Sequence, residues 1–147
     1  MRRVVMICSG NICRSPMAAV LGQRLLGPDD LVISAGTLGI HGQPAATHAQ
    51  RAVAEVGLSL DGHRSQGVSL PILRAADHLV VMSPEHEVEL RRRDPAAEDK
   101  VVRLWEYTRT PGRLREIADP VGQDYAAFVR CRDDLDECLR VWVTSLG

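Results

Sequence analysis

The residues with the clearest chemical potential are a cysteine and an arginine separated by five residues, Cys8 and Arg14, just before a Ser-Pro pair. Backbone N–H groups of a tight loop that leads into a helix converge on anions, and the helix dipole adds partial positive charge there. Five residues are enough for the chain to wrap around one tetrahedral oxyanion, with Gly10 supplying a positive φ where the turn needs one. The planar guanidinium of Arg14 can donate hydrogen bonds to two oxygens of that anion at once. The segment therefore predicts a site for a phosphate-like anion.

Cys8 lies at the start of this loop, where its sulfur would face the central atom of the anion. A positive environment favours the thiolate, which is the nucleophilic form of cysteine. We therefore predict that Cys8 is a nucleophile. The alternative is a small buried hydrophobe, the commoner role of a free cysteine.

A phosphate monoester also needs a proton for its leaving oxygen, and a loop carboxylate is a natural donor. The chain contains two Asp-Pro pairs, Asp94-Pro95 and Asp119-Pro120. Asp-Pro is common in turns, so residue type alone leaves both pairs open as the acid.

Strands and helices must alternate along the chain to position these residues. Short apolar runs predict strands at 4–7, 31–35, 78–82 and 101–104, and apolar residues at helical spacing predict helices at 15–26, 45–57, 70–75, 84–93 and 124–146. Ser15-Pro16 and Ser83-Pro84 have the pattern of an N-cap followed by proline in the first turn. This order predicts an α/β fold, a doubly wound three-layer sandwich with a four-stranded parallel sheet flanked by helices on both faces. Such folds bind ligands at the carboxyl ends of their strands, where the Cys8 loop would lie.

Length and composition agree with one domain spanning residues 1–147. Eighteen Lys and Arg against nineteen Asp and Glu give a net charge of −1, which argues against a nucleic-acid protein and a polybasic membrane anchor. Four cysteines are too few for a disulfide scaffold, and no apolar stretch approaches the length of about 18 residues of a membrane span. The first apolar run is too short for a signal peptide, so we expect a cytoplasmic protein.

The segment CSGNICRSPMA at 8–18 resembles the signature of the low-molecular-weight protein tyrosine phosphatases. The resemblance continues through 34–37, 42–44, 57–65 and 119–120, so it covers essentially the whole chain. It implies hydrolysis of phosphomonoesters, above all protein phosphotyrosine, through a phosphocysteine on Cys8. Arg14 would bind the phosphate, and Asp119, in the pair that matches the family's acid loop, would be general acid and base. No metal or organic cofactor is implied.

The resemblance also implies a surrounding set of site residues. Those that would bind phosphate are Ser9, Gly10, Asn11, Ile12, Cys13 and Arg14. Those that would hold the loop in shape are Asn11, Ser15, Ser34 and His63. Cys13 would be a redox partner that forms a protective disulfide with Cys8. Residue chemistry adds that Ser15 can cap the helix and reach the thiolate, and that Asn11 can brace the loop.

The remaining reactive residues are predicted to be structural. Cys131 and Cys138 lie on one apolar stripe of the last helix, about 10.5 Å apart along its axis, which exceeds the limit of about 7 Å for a disulfide. Arg91–Arg93 is predicted to be a solvated helix end. The other histidines show no metal-ligand spacing and are expected to be structural or exposed: His41, His48, His78 and His86.

Three alternatives stay open. A thiol-dependent arsenate reductase on the same fold would relay oxidation through a further cysteine pair, and Cys131 and Cys138 are not where that relay is expected. A protein-arginine phosphatase would typically have a small polar residue in place of Ile12. A non-enzymatic phosphate-binding or redox-sensing module would not need Asp119.

The expected partners are a phosphorylated protein or a small aryl phosphate, with inorganic phosphate as product and inhibitor and with neither nucleic acid nor membrane. Aromatic residues are scarce, and none follows Asp119-Pro120. The residues available to form another wall, at 37–42, include Leu38, Ile40 and His41.

Overall fold

The computed structural model describes residues 1–147. Its strands are β1 (Arg3–Cys8), β2 (Leu31–Gly36), β3 (His78–Val81) and β4 (Val101–Arg103). Its α-helices are α1 (Arg14–Leu26), α2 (Thr47–Ala54), α3 (Leu70–Ala75), α4 (Pro84–Arg93) and α5 (Tyr125–Ser145). Two 3₁₀ helices, Pro95–Lys100 and Leu104–Glu106, flank β4 and were not predicted.

The four strands form one parallel sheet in the order β2-β1-β3-β4. The chain moves outward from β1 to β2, then crosses back to β3 on the other side of β1. Because parallel crossovers are right-handed, this reversal places helices on both faces of the sheet, with α1, α2 and α5 packed together on one of them. It also opens a crevice between the carboxyl ends of β1 and β3, and β1 ends there at Cys8. The predicted α/β fold with a four-stranded parallel sheet is confirmed.

Most predicted elements occur within a few residues of their expected bounds. Helix α2 is shorter than predicted because residue 46 is still extended, with ψ 142°, and the helix starts at Thr47. Helix α1 starts at Arg14, one residue before the predicted Ser15 cap, and Cys13 occupies the N-cap without a side-chain hydrogen bond. Ser15 therefore does not cap this helix, and its hydroxyl is free for the site.

The last helix packs against α1 and α2 and closes one face of the sheet. Its buried stripe is the predicted one: Phe128, Cys131, Leu135, Cys138 and Trp142. Cys131 and Cys138 are free and buried, as the stripe predicted. None of the helices is both long enough and apolar enough to cross a membrane.

Candidate active site

The loop from Cys8 to Arg14 lies against the end of β2, and this close approach depends on a glycine. A Cβ on Gly36 would be 2.5 Å from the carbonyl oxygen of Ser9, a distance that backbone atoms cannot accommodate. Leu38 N–H donates to the same Ser9 oxygen at 3.0 Å, and Thr37 N–H donates to the Cys8 carbonyl at 3.0 Å. Gly36 therefore lets the loop lie directly against β2 and the segment after it.

One residue of the loop adopts a left-handed conformation, and it is Asn11, with φ 58°. We had expected Gly10 to provide the positive φ, and that prediction was wrong. Asparagine is one of the few residues that tolerate this conformation. Here the strain is offset because both ends of the Asn11 side chain are hydrogen-bonded within the site.

The backbone N–H groups of residues 9–13 donate no hydrogen bond within the protein. Such groups nearly always have a partner when they lie below the surface. A loop with several unused donors, followed by the N-terminus of a 13-residue helix, is suited to binding an oxyanion.

The sulfur of Cys8 is held by Ser15. The Ser15 hydroxyl lies 2.9 Å from Cys8 Sγ, and the Asn11 side-chain amide donates to the Ser15 oxygen at 2.8 Å. Because Ser15 accepts from Asn11, its own proton is available for the sulfur. A hydroxyl aimed at the sulfur, and an arginine that lines the same cavity, suit a sulfur that acts as a nucleophile.

Arg14 is buried, with 2% of its surface exposed, and is held at both ends of its guanidinium. Its Nη1 donates to Ser83 Oγ and to the Ile117 carbonyl, both at 2.9 Å. Its Nη2 donates to Ser9 Oγ at 3.3 Å and to the Asp119 carboxylate at 3.4 Å. Its Nε has no hydrogen bond within the protein, so Nε and the more weakly held Nη2 form the edge available to an anion.

Asp119 faces the loop from the segment after β4, and its carboxylate is part-exposed at 37%. Val121 N–H donates to its Oδ1 at 3.1 Å, and the Gln123 side chain donates to its backbone carbonyl at 3.0 Å. The other Asp-Pro pair has a different use, because Asp94 accepts from Ala96 N–H at the start of a 3₁₀ helix. The fold thus brings Asp119, and not Asp94, to Arg14.

The segment after α2 supports the loop from behind. Gln66 N–H donates to Asn11 Oδ1 at 3.0 Å, and His63 Nε2 lies 2.8 Å from the Asn11 carbonyl oxygen. Ser34 takes part through its backbone, since its carbonyl accepts from the Gln66 side chain at 3.0 Å, and its hydroxyl makes no hydrogen bond. Gln66 was not predicted, and no motif in the sequence distinguishes it.

Cys13 lines the same cavity as Cys8. Burial, followed by the nearby Asp119 and Cys8 charges, raises the pKa of the Cys13 thiol to about 12. Cys13 is therefore a protonated thiol at neutral pH, whereas the Cys8 sulfur has the Ser15 hydroxyl as a hydrogen-bond partner.

Three further residues of the site, Ser83, Glu116 and His86, were not predicted to belong to it. Ser83, predicted only as a helix cap, makes no capping bond; it accepts from Arg14 and donates to Glu116 at 3.0 Å. His86 was grouped with the structural or exposed histidines, yet its Nε2 lies 3.0 Å from Ser9 Oγ. These residues come from α4 and from the segment before Asp119, far from the loop in sequence.

The cavity above Cys8 has a volume of about 150 Å³. Its lining is Cys8, Ser9, Gly10, Ile12, Cys13, Arg14, Leu38, Ile40, Asp119 and Val121. The expected wall residues Leu38 and Ile40 are present, whereas His41 does not line the cavity and packs beside Gly67. The mouth is aliphatic and contains no aromatic ring.

A buried nucleophile, an arginine with a free donor edge and a facing carboxylate together suit transfer of a phosphoryl group. The family model described as low molecular weight phosphotyrosine protein phosphatase matches residues 3–147. A probable low molecular weight protein-tyrosine-phosphatase, EpsP of Ralstonia nicotianae, is 33% identical over 145 residues, covering 99% of this chain and 96% of that protein. A protein-arginine-phosphatase of Geobacillus stearothermophilus is 34% identical over 134 residues, covering 91% and 88%.

A solved structure extends the likeness to the whole fold. The YwlE arginine phosphatase, in a mutant with a phosphorylated active-site serine, superposes with a TM-score of 0.89 at 29% identity. The match covers 98% of this chain and 95% of that one.

Proposed function

Because the chain belongs to the low molecular weight phosphotyrosine protein phosphatase family, we propose that Cys8, Arg14 and Asp119 hydrolyse phosphomonoesters, with protein phosphotyrosine as the substrate class. The observation that carries this proposal is the loop of unpartnered backbone N–H groups that begins at the Cys8 sulfur. Donors of this kind stabilise the charge that develops on the phosphoryl oxygens.

In the first step the Cys8 thiolate attacks phosphorus, forming an S–P bond as the P–O bond to the leaving group breaks. Asp119 gives its proton to the leaving oxygen, so a phenol or alcohol departs. Arg14 Nε and Nη2 and the loop N–H groups hold the three equatorial oxygens. Since Nη2 contacts Asp119 in the free enzyme, phosphate binding competes with that contact and releases the carboxyl for proton transfer.

In the second step water attacks phosphorus, and Asp119 takes up its proton. The S–P bond breaks, inorganic phosphate leaves and the Cys8 thiolate is regenerated. The Ser15 proton stabilises that thiolate as a leaving group. Inorganic phosphate occupies the same donors and should inhibit. A chemistry that depends on a free thiol suits a reducing compartment, and we propose a cytoplasmic location.

Relatives of the chain include both tyrosine and arginine phosphatases. The residues at the mouth of the cavity would therefore determine whether phosphotyrosine or phosphoarginine binds better. Its walls include Ile12, Leu38, Ile40 and Val121, and the one carboxylate that lines it is Asp119. An apolar wall favours an apolar aryl group over the polar guanidino group of phosphoarginine. Phosphotyrosine is therefore the preferred substrate.

The test is hydrolysis of an aryl phosphate, a phosphotyrosine peptide and a phosphoarginine peptide by wild type, Cys8→Ser and Asp119→Asn. We expect Cys8→Ser to lose activity. We expect Asp119→Asn to lose about 10²–10⁴-fold in rate, with Asp94→Asn as the matched control that retains activity. Full activity in Cys8→Ser would overturn the mechanism, and faster turnover of phosphoarginine would overturn the substrate class.

Arsenate reduction, measured in parallel, tests the reductase alternative. That reaction needs a second thiol pair close to Cys8, whereas Cys131 and Cys138 are both buried in α5. Burial raises the pKa of each of these thiols, to about 12 for Cys138. We expect no arsenate turnover with thioredoxin, and turnover without phosphatase activity would assign the chain to that class.

A further inference from the structure

His86 contacts the loop from Cys8 to Arg14 but takes no part in the two chemical steps. It lies in the first turn of α4 and is 1% exposed. Its Nε2 lies 3.0 Å from the hydroxyl oxygen of Ser9, the residue that follows the nucleophile.

The Ser9 hydroxyl lies between His86 and Arg14. Arginine can only donate, so the Ser9 oxygen accepts from Arg14 Nη2 at 3.3 Å. A hydroxyl has a single proton, and a partner that receives this proton keeps it away from the guanidinium. His86 Nε2 is placed to receive it when the ring proton is on Nδ1.

The surroundings of His86 keep the ring neutral. Burial, and after it the Arg14 charge, lower the pKa of His86 to about 4, against an opposing effect of Asp119. A neutral ring can accept from Ser9 and does not repel Arg14. His86 Nδ1 has no hydrogen-bond partner, although it is buried. An unpartnered buried polar atom lowers stability, so its presence suggests that the ring is retained for the contact at Nε2.

We propose that His86 is a positioning residue for phosphate binding, which acts on Arg14 through the Ser9 hydroxyl. Ser83 and Ile117 fix the Nη1 end of the guanidinium, and Ser9 with His86 fixes the Nη2 end. The plane of Arg14 is then set before the anion arrives, with Nε directed to the cavity. This inference rests on the proposed function only in taking phosphate as the anion.

The test compares His86→Leu, which keeps apolar volume, with His86→Gln, which returns an amide within reach of Ser9. Affinity for inorganic phosphate is measured by calorimetry, and kcat and KM are measured on an aryl phosphate. We expect His86→Leu to weaken phosphate binding about tenfold and His86→Gln to restore most of it. His78→Leu is the matched control, because His78 lies at the other end of β3 and packs on Trp142.

A double-mutant comparison separates positioning from packing. If His86 acts through Ser9, adding His86→Leu to Ser9→Ala should cause no further loss of phosphate affinity. Additive losses would overturn the proposal, as would equal phosphate affinity in wild type, His86→Leu and Ser9→Ala. If His86→Leu does not fold, the Ser9→Ala and His86→Gln affinities decide. Phosphate binding by a wild type that hydrolyses no phosphoester would overturn the proposed function and leave this inference standing.

Discussion

At the scale of single residues, two cysteines share one cavity and have opposite surroundings. Cys8 receives the Ser15 hydroxyl and lies in the loop that ends at Arg14, whereas Cys13 is buried beside the negative charges of Cys8 and Asp119. The second environment keeps Cys13 a protonated thiol, whereas the first suits Cys8 to act as the nucleophile. An oxidant should therefore react at Cys8 first, giving a sulfenic acid.

Closure of a Cys8–Cys13 disulfide should become faster as the pH rises. Cys13 must attack as a thiolate, forming the S–S bond as the S–O bond of the sulfenic acid breaks and hydroxide leaves. With its pKa raised to about 12, the thiolate fraction of Cys13 increases about tenfold per pH unit between 7 and 9. Mass mapping of the disulfide after a peroxide pulse at three pH values measures this. Cys13→Ala should form none, and a pH-independent rate would contradict the expectation.

At the scale of elements, the site depends on segments that hold the loop from several sides. Strand β2 presents Gly36 to Ser9, and the segment at 63–66 binds Asn11. From the other face, α4 contributes Ser83 at its N-cap and His86 in its first turn, on Arg14 and Ser9. The loop is therefore shaped by its neighbours as much as by its own sequence.

Gly36→Ala should lower the rate of aryl phosphate hydrolysis by about 10²-fold, with a smaller effect on folding. The added methyl would lie 2.5 Å from the carbonyl oxygen of Ser9, so the loop from Cys8 to Arg14 must move away from β2. A loop displacement of about 1 Å is enough to cost about 10²-fold in rate. Gly22→Ala is the control, because its methyl meets side chains and no backbone: the flexible end of Met6 at 2.7 Å and Leu139 at 4.0 Å. Aryl phosphate hydrolysis measures both, and an active Gly36→Ala enzyme would show that the loop tolerates the shift.

Arg93, at the C-terminal end of α4, holds a wall of the cavity and is not the solvated residue that its basic run predicted. Its guanidinium donates to the Val68 and Thr37 carbonyls at 3.1 and 2.7 Å, and Thr37 begins the segment that carries Leu38. Only 28% of its side chain is exposed. Arg93 is withdrawn from solvent because the end of α4 packs against the segment after β2.

Arg93→Leu should raise KM while changing kcat little, since the wall moves and the Cys8 loop remains. We expect an increase of about fivefold in KM for an aryl phosphate. Arg92→Leu is the neighbouring control, because Arg92 is bonded only to Glu89 on its own helix. A loss confined to kcat would place Arg93 in the chemistry and contradict the assignment.

At the scale of the molecule, the reversal of strand order after β2 creates the site. It leaves the ends of β1 and β3 without a crossing connection, and the loop after Cys8 and the start of α4 meet in that gap. A net charge of −1 is compatible with anion binding because one buried arginine and a helix end supply the positive potential locally. Helix α5 covers the face of the sheet on which α1 lies, by packing on α1.

Leu135→Ala should lower the free energy of unfolding by about 2–5 kcal/mol, because Leu135 is fully buried in the α5 stripe and the change leaves a cavity. Urea denaturation measures this loss. Val88→Ala, on the exposed face of α4, should change stability by less than about 0.5 kcal/mol. Equal effects of the two substitutions would contradict the central position of α5.

Features that depend on near neighbours in the chain could be predicted from the residues alone. The spacing of Cys8 and Arg14 predicted an anion-binding loop, apolar periodicity predicted the strands and the α5 stripe, and strand–helix alternation predicted the sheet. Asp119 could be chosen over Asp94 only through the family resemblance.

Which distant residues meet the loop became clear only from the packing of the folded chain. Arg14 and Ser83 are 69 positions apart, and Ser9 and His86 are 77 apart. Contacts over such separations leave no periodic pattern, because they depend on how strands pair and helices pack. The left-handed Asn11 and the clearance at Gly36 are likewise set by the segments packed around the loop. Local spacing thus specified the chemical groups, and packing specified their orientation.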